Sequence, residues 1–278
     1  MVSSIDLAAY FARIGYSGPA EPTLAFLRDL HARHPARIAF EALDPFLGRP
    51  VEIDPAAIQA KLVQGRRGGY CFEQNGLFHD VLAALGFSVS ALGARVVWMT
   101  PGRQAPVTHR LTLVDLPGEG RFLADVGFGG QSPTAPLRLE PGLEQDTPHG
   151  AYRVARDGEV HETQMRLGEG RWEPMYRFTL APHSRADFEV ANWFTSTHPR
   201  GRFTRNLVAA RVVGDTRVNL LNASLSVRGA DGAVVDQRTL ADARDLRHVL
   251  EGVMGLDLPV PADAIWARLP SEPVPSWP

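Results

Sequence analysis

The 278-residue chain has one cysteine, Cys71. That excludes an intrachain disulfide framework and suits a reducing cytoplasm, where a reactive thiol survives. Also missing is any apolar run near the roughly 18 residues that a membrane span needs. The start, Met1-Val2-Ser3-Ser4-Ile5-Asp6, carries neither a basic region nor a long apolar stretch, so no signal peptide is expected. A cytoplasmic protein is the expectation. A strong charge of either sign is absent too: the net charge is −2, which gives no basis for binding nucleic acid or an acidic membrane surface. Gly127-Phe128-Gly129-Gly130 is glycine-rich but lacks both the Lys-Ser/Thr of a Walker motif and the spacing of a dinucleotide fingerprint. His31 and His34 stand three apart, a metal-compatible spacing, yet no cysteine or further histidine lies nearby to complete a site. No metal is expected, and no internal repeat or disordered linker is visible.

What is present is ordinary globular material, 44% apolar and 22% charged, with enough for a sizeable core. The length suits about two domains or three small packed units. Residues 1–87 read as a helical bundle. Ser4 is a candidate cap for a helix bearing Leu7, Tyr10, Phe11 and Ile14 and ending at Gly15. Thr23 is a candidate for a second, with Leu24, Leu27 and Leu30, stopping before Pro35. Asp54-Pro55 opens a third and Cys71 a fourth. Residues 88–190 alternate short Val-, Leu- and Thr-rich runs with Gly- and Pro-bearing turns, which predicts an antiparallel, barrel-like sheet. Residues 191–278 are mixed and read as an α/β lid. A short helix from Asp187 through Trp193 leads into it, and strands follow at about 207–213, 217–228 and 233–236. A Thr239/Asp242 capping box then starts a helix with Leu246, Val249, Leu250 and Val253, and a last short helix covers Ala262–Leu269.

Chemistry concentrates at Arg67-Gly68-Gly69-Tyr70-Cys71-Phe72-Glu73-Gln74-Asn75. Leu77, Phe78, Val81, Leu82 and Leu85 recur at helical spacing behind it and Gly86 sits where the helix stops, so Cys71 falls at a helix start. Free N–H groups and the helix dipole favour a thiolate there and lower the cysteine pKa. The same groups suit an oxyanion. Gly68 and Gly69 let backbone and substrate come close to the sulfur. A thiolate nucleophile needs a base, usually histidine. His109 opens Thr108-His109-Arg110-Leu111-Thr112-Leu113-Val114, and Arg121-Phe122-Leu123-Ala124-Asp125-Val126 follows the turn Asp115–Gly120. If the hairpin centres on Pro117, His109 faces Asp125 on one side of the sheet, where a carboxylate fixes the imidazole tautomer and stabilises its cation. Gly127–Gly130 beside it makes a pocket wall. The loop from Thr197 to Asn206 gathers Arg200, Arg202 and Arg205, which suit phosphate or simply form a solvated surface.

Taken in order and spacing, RGGYCFEQN, THRLTLVDL and LADVGFGG resemble the arylamine N-acetyltransferases. The resemblance runs from Phe40-Glu41-Ala42-Leu43-Asp44 to Asn192-Trp193-Phe194-Thr195-Ser196-Thr197-His198-Pro199. It implies an α+β fold with a papain-like catalytic core, in which Cys71 takes an acetyl group from acetyl-CoA, His109 is its base and Asp125 orients the histidine. By the same resemblance Phe40, Thr108, Phe128, Gly129 and Phe203 meet an arylamine or hydrazine, and Trp98, Gly130, Arg200 and Arg205 meet coenzyme A. A homodimer is left open. The departure is Gly201, where the family often has serine. Papain-like and transglutaminase-like thiol enzymes share this constellation, so the residues alone leave a thiol hydrolase or amide synthase as the alternative, and a binding protein that kept the fold as a more distant one.

Overall fold

The computed structural model describes residues 5–100, 102 and 104–271. Helices come first, and each start has a chemical cause. Helix α1 (Leu7–Ile14) is capped by Asp6, whose carboxylate accepts from the Ala9 amide at 2.9 Å, and it ends on left-handed Gly15. The expected cap, Ser4, lies outside the described residues. Thr23 caps α2 (Leu24–Arg37) as expected, but the helix passes through Pro35 instead of stopping before it. A proline this close to the end forfeits only its own N–H bond. The ladder resumes at once, with the Ile38 amide donating to the His34 carbonyl at 2.8 Å.

A short strand β1 (Phe40–Glu41) and the turn of helix α3 (Leu43–Phe46) follow. Asp54 caps α4 (Pro55–Gln59), which widens into a π turn over Ala60–Gln64. Helix α5 runs Cys71–Ala84, with Cys71 its first residue.

Eight antiparallel strands make the larger sheet: β2 (Ser88–Val96), β3 (Val107–Leu116), β4 (Gly120–Ala124), β5 (Leu137–Arg138), β6 (Gln145–Thr147), β7 (Gly150–Asp157), β8 (Val160–Leu167) and β9 (Arg171–Pro182). Their spatial order is β5-β4-β3-β2-β9-β8-β7-β6. The two ends nearly meet. Gln145 uses its side-chain amide as a backbone would, accepting from the Arg138 amide at 2.7 Å and donating to its carbonyl at 3.0 Å. The Gly142 amide adds a bond to the Val154 carbonyl. Joining the edges in this way leaves few unpaired strand groups and yields the expected barrel-like sheet.

Helix α6 (Arg185–Thr197) starts two residues before the expected Asp187, because Ser184 and Asp187 cap it reciprocally, and it continues past Trp193. After the turn of α7 (Arg202–Arg205) come β10 (Val208–Val213), β11 (Thr216–Leu221), β12 (Ser224–Arg228) and β13 (Val234–Thr239). The single strand expected over 217–228 is thus a hairpin, turned at left-handed Asn222. These four strands and β1 form a second sheet, ordered β1-β10-β11-β12-β13, so the amino-terminal segment is stitched into the carboxy-terminal one. Asp242 alone caps α8 (Ala243–Arg247), accepting from Arg244 and Asp245 amides, while Thr239 ends β13. Helix α9 covers Ala262–Trp266. No helix among the described residues is long and apolar enough to cross a membrane.

The β3–β4 hairpin lies two residues from the register expected of a turn centred on Pro117. The strands pair Leu113 with Leu123 and Leu116 with Gly120, and the turn centres on Gly118, at φ +80°, with the Glu119 amide bonded to the Leu116 carbonyl. Because side chains alternate with period two, a slip of two leaves every one on its expected face. Leu111, Leu113 and Leu123 point into the barrel core, while Val114, Leu116, Phe122 and Ala124 pack on the helices. A Cβ at Gly118 would meet nothing within 4 Å, so strain from positive φ is the only cost of Gly118→Ala. Urea unfolding is expected to show a loss of about 1 kcal/mol; an unchanged midpoint would contradict this turn.

Candidate active site

The loop ahead of Cys71 is clamped from below by buried charge. Lys61 reaches Asp44 and Glu73, each at 2.6 Å, and Arg67 reaches Glu41 at 2.7 Å and Asp44 at 3.3 Å. Glu73 also accepts from the Tyr70 amide at 3.1 Å. The glycines serve this clamp. A Cβ on Gly68 would lie 2.1 Å from the Ala39 carbonyl oxygen, and one on Gly69 would lie 2.8 Å from a Glu73 carboxylate oxygen. Room for protein, not for substrate, is therefore what they provide, contrary to the sequence expectation.

Cys71, His109 and Asp125 come together although α5, β3 and the end of β4 supply them. They are 4%, 2% and 1% exposed. The Cys71 thiol donates to the Thr108 carbonyl, with Sγ to oxygen 3.4 Å, so its sulfur lies against the backbone next to His109. His109 Nε2 donates to Asp125 Oδ2 at 2.8 Å. Asp125 lies one residue beyond β4 and approaches His109 diagonally, not as the directly opposed partner expected. The even register slip keeps both on one face.

Burial by itself would raise the Asp125 carboxyl. The His109 partner, the Asn75 amide at 2.8 Å and the Gly127 amide at 3.0 Å outweigh it and hold that carboxyl below the ordinary carboxylate range. Asn75 also accepts from the Val126 amide at 2.9 Å. The helix start by itself does not lower the Cys71 pKa. Burial, with a smaller push from the Asp125 charge, raises the thiol well above its usual pKa, against only partial opposition from the Phe72 and Arg110 amides. Burial disfavours an isolated thiolate here, whereas a neighbouring imidazolium would offset the cost of burying that charge.

Aromatic side chains gather in two groups, one against Tyr70, the residue before Cys71, and one against His109. In the first, Phe203 lies 5.9 Å from Phe40 and 5.6 Å from Tyr70. In the second, the His109 ring meets Phe128 edge-on at 5.4 Å and Tyr176 at 5.0 Å, and Trp98 stands 6.4 Å from Phe128. Gly129, at φ +87°, approaches Phe40 closely, and Gly130 has no room for a side chain because Asn219 Oδ1 would be 1.9 Å away. Arg200 lies on the loop before α7 and Arg205 ends α7 itself. A Cβ at Gly201 would stand 2.9 Å from the His198 carbonyl oxygen, so this loop turns too tightly for serine without shifting.

Three neighbours of the site go beyond the sequence expectation: Asn75 on Asp125, Tyr176 on His109 and His31 on the Asp125 amide. Asn75 was recoverable, since it follows Cys71 by four residues and so shares its helix face. Tyr176 arrives through the β2–β9 pairing, which no local pattern announces.

An α+β chain with this core is matched from residue 23 to 263 by a family model described as N-acetyltransferase, which makes it an acyltransferase. Curated relatives agree. The arylamine N-acetyltransferase of Mycobacterium tuberculosis is 45% identical over 261 residues, covering 92% of this chain and 90% of that protein. That of Escherichia coli is 42% identical over 247 residues, covering 89% and 87%. The solved structure of Mycobacterium marinum arylamine N-acetyltransferase in complex with CoA superposes with a TM-score of 0.90 at 40% identity, over 95% of this chain and 98% of that one. This chain belongs to the arylamine N-acetyltransferase family.

Two further histidines tie the site to acid stability. His31 and His34 are fully buried, and burial holds His31 near 3 and His34 near 4, against 6.5 when free. The unfolded chain therefore takes up their protons first. Their contribution to stability is complete above the free value of 6.5 and is lost as pH drops toward 4, by up to about 1.4 kcal/mol per pH unit for each histidine. Urea unfolding at pH 7 and pH 5 is expected to show the drop, and His34→Gln to reduce it. Equal stability at both values would contradict the buried neutral pair.

Proposed function

We propose that this protein transfers an acetyl group from acetyl-CoA through Cys71 to the nitrogen of an arylamine or hydrazine. The observation that carries the reading is the sulfur of Cys71 lying against the backbone beside His109, with His109 bonded to a carboxylate at 2.8 Å. Because Nε2 is engaged by Asp125, Nδ1 is the nitrogen that takes the thiol proton. The carboxylate stabilises the resulting imidazolium and the sulfur attacks the thioester carbonyl. Backbone N–H groups at the start of α5 hold the oxyanion. The bond to the coenzyme sulfur breaks, and coenzyme A leaves with the imidazolium proton. A neutral amine then attacks acetyl-Cys71, His109 accepts its proton, and the Cys71 thiolate departs.

In this reading Phe40, Thr108, Phe128, Gly129 and Phe203 receive the uncharged acceptor, whose ring needs apolar faces more than charges. Trp98, Gly130, Arg200 and Arg205 are the candidates for coenzyme A contacts. The family supports acetyl-CoA and an arylamine over a hydrolase or amide synthase, because the relatives at 40–46% identity carry the acetyltransferase name.

Intact-protein mass after brief exposure to acetyl-CoA is the direct test. One acetyl group is expected on the wild type and none on Cys71→Ser, with an added arylamine discharging it faster than water. No adduct, or one that water removes as fast, would overturn the reading in favour of hydrolysis or another acyl donor.

A further inference from the structure

The pair of histidines that the sequence offers as metal spacing turns out to bridge the two halves of the site. Both lie on one face of α2, a helix that supplies none of the proposed catalytic residues. The Asp125 amide donates to His31 Nε2 at 3.1 Å, so His31 carries its proton on Nδ1 and presents a lone pair to the backbone that bears the carboxylate. Among the described residues His31 Nδ1 has no hydrogen-bond partner on any other residue in return. A buried N–H that no other residue accepts is a cost, and leucine or phenylalanine would avoid it, so what the imidazole offers here is its acceptor.

His34 lies one turn on. Its Nδ1 meets the Tyr10 hydroxyl at 2.9 Å and its Nε2 the Gln74 side-chain oxygen at 2.7 Å. The Gln74 amide then donates to the Ala39 carbonyl at 2.7 Å and the Gly69 carbonyl at 3.1 Å, two residues before Cys71. Phe78 packs edge-on against both rings, at 5.6 Å and 5.4 Å, and fixes their planes.

We propose that His31 and His34 are positioning residues that hold the Asp125 turn and the Cys71 loop in fixed relation, His31 through the Asp125 amide and His34 through Gln74 to Gly69. The inference rests on the proposed roles of Cys71, His109 and Asp125. A displacement of about 1 Å between reacting groups is enough to cost about 100-fold in rate. Both rings stay neutral across the working pH range, so their hydrogen bonds do not change with pH.

The test is single-turnover acetylation by acetyl-CoA, read by mass, for His31→Leu, His31→Gln and Asp125→Asn, each alone, and for His31→Leu combined with Asp125→Asn. Glutamine places an acceptor oxygen where Nε2 stood. His31→Leu is expected to slow acetylation at least tenfold at saturating acetyl-CoA with its half-saturating concentration unchanged. His31→Gln should stay within threefold of wild type, and His31→Leu should add nothing in the Asp125→Asn background. Should His31→Leu fail to fold, His31→Phe keeps the ring against Phe78 and still lacks the acceptor. Equal rates for the glutamine and apolar variants, or full additivity with Asp125→Asn, would overturn the positioning role. If Asp125→Asn alone leaves acetylation intact, the failure belongs to the proposed triad.

Discussion

Asp125 keeps a charge where 1% of the residue meets water, and a lone carboxylate in such a place costs several kcal/mol. Its neighbours exist on those terms. One oxygen takes the His109 N–H; the other takes Asn75 and the Gly127 amide. His109 comes from β3 and Asn75 from α5, so the charge is tolerable only when the hairpin, the helix and the turn after β4 have all docked. The same docking of helix and hairpin sets the Cys71 sulfur against the Thr108 carbonyl, next to His109 in the chain.

A second group of charges does for the cysteine loop what the first does for the histidine. Three carboxylates, Glu41, Asp44 and Glu73, enclose Lys61 and Arg67 under residues 67–73. Removing Lys61 would leave the buried Glu73 without its cation, and removing Arg67 would leave Glu41 without its own, which is far costlier than the net worth of the intact cluster. The arrangement explains the two glycines before Tyr70, which give the Ala39 carbonyl and the Glu73 side chain the space they occupy.

Much of this was legible in the chain. Cys71 at a helix start, the hairpin bearing His109 and Asp125, the barrel-like sheet and the family all follow from local spacing and motif order. The turn position was misread because Pro117 is the more conspicuous signal, yet Gly118 is the residue able to take positive φ. Since the error was even, the faces survived it. The helix was expected to stop at Pro35 because proline's local cost was read without the burial that outweighs it. Least visible was the acidity of Cys71. A helix start argues for a lowered pKa, and only the packed structure shows that burial reverses the sign. Asn219 against Gly130 and Tyr176 against His109 are long-range contacts with no local signature.

In the proposed mechanism the Cys71 thiolate exists only as a partner of the His109 imidazolium held by Asp125. The most direct measurement is the pH dependence of Cys71 alkylation by iodoacetamide in the wild type and in His109→Gln. The account expects the wild type to react rapidly from pH 6 upward. In His109→Gln the reaction should appear only in the alkaline range, above the roughly 8.5 of an ordinary thiol. An unchanged profile in His109→Gln would show that the sulfur is activated without the histidine and would contradict the account.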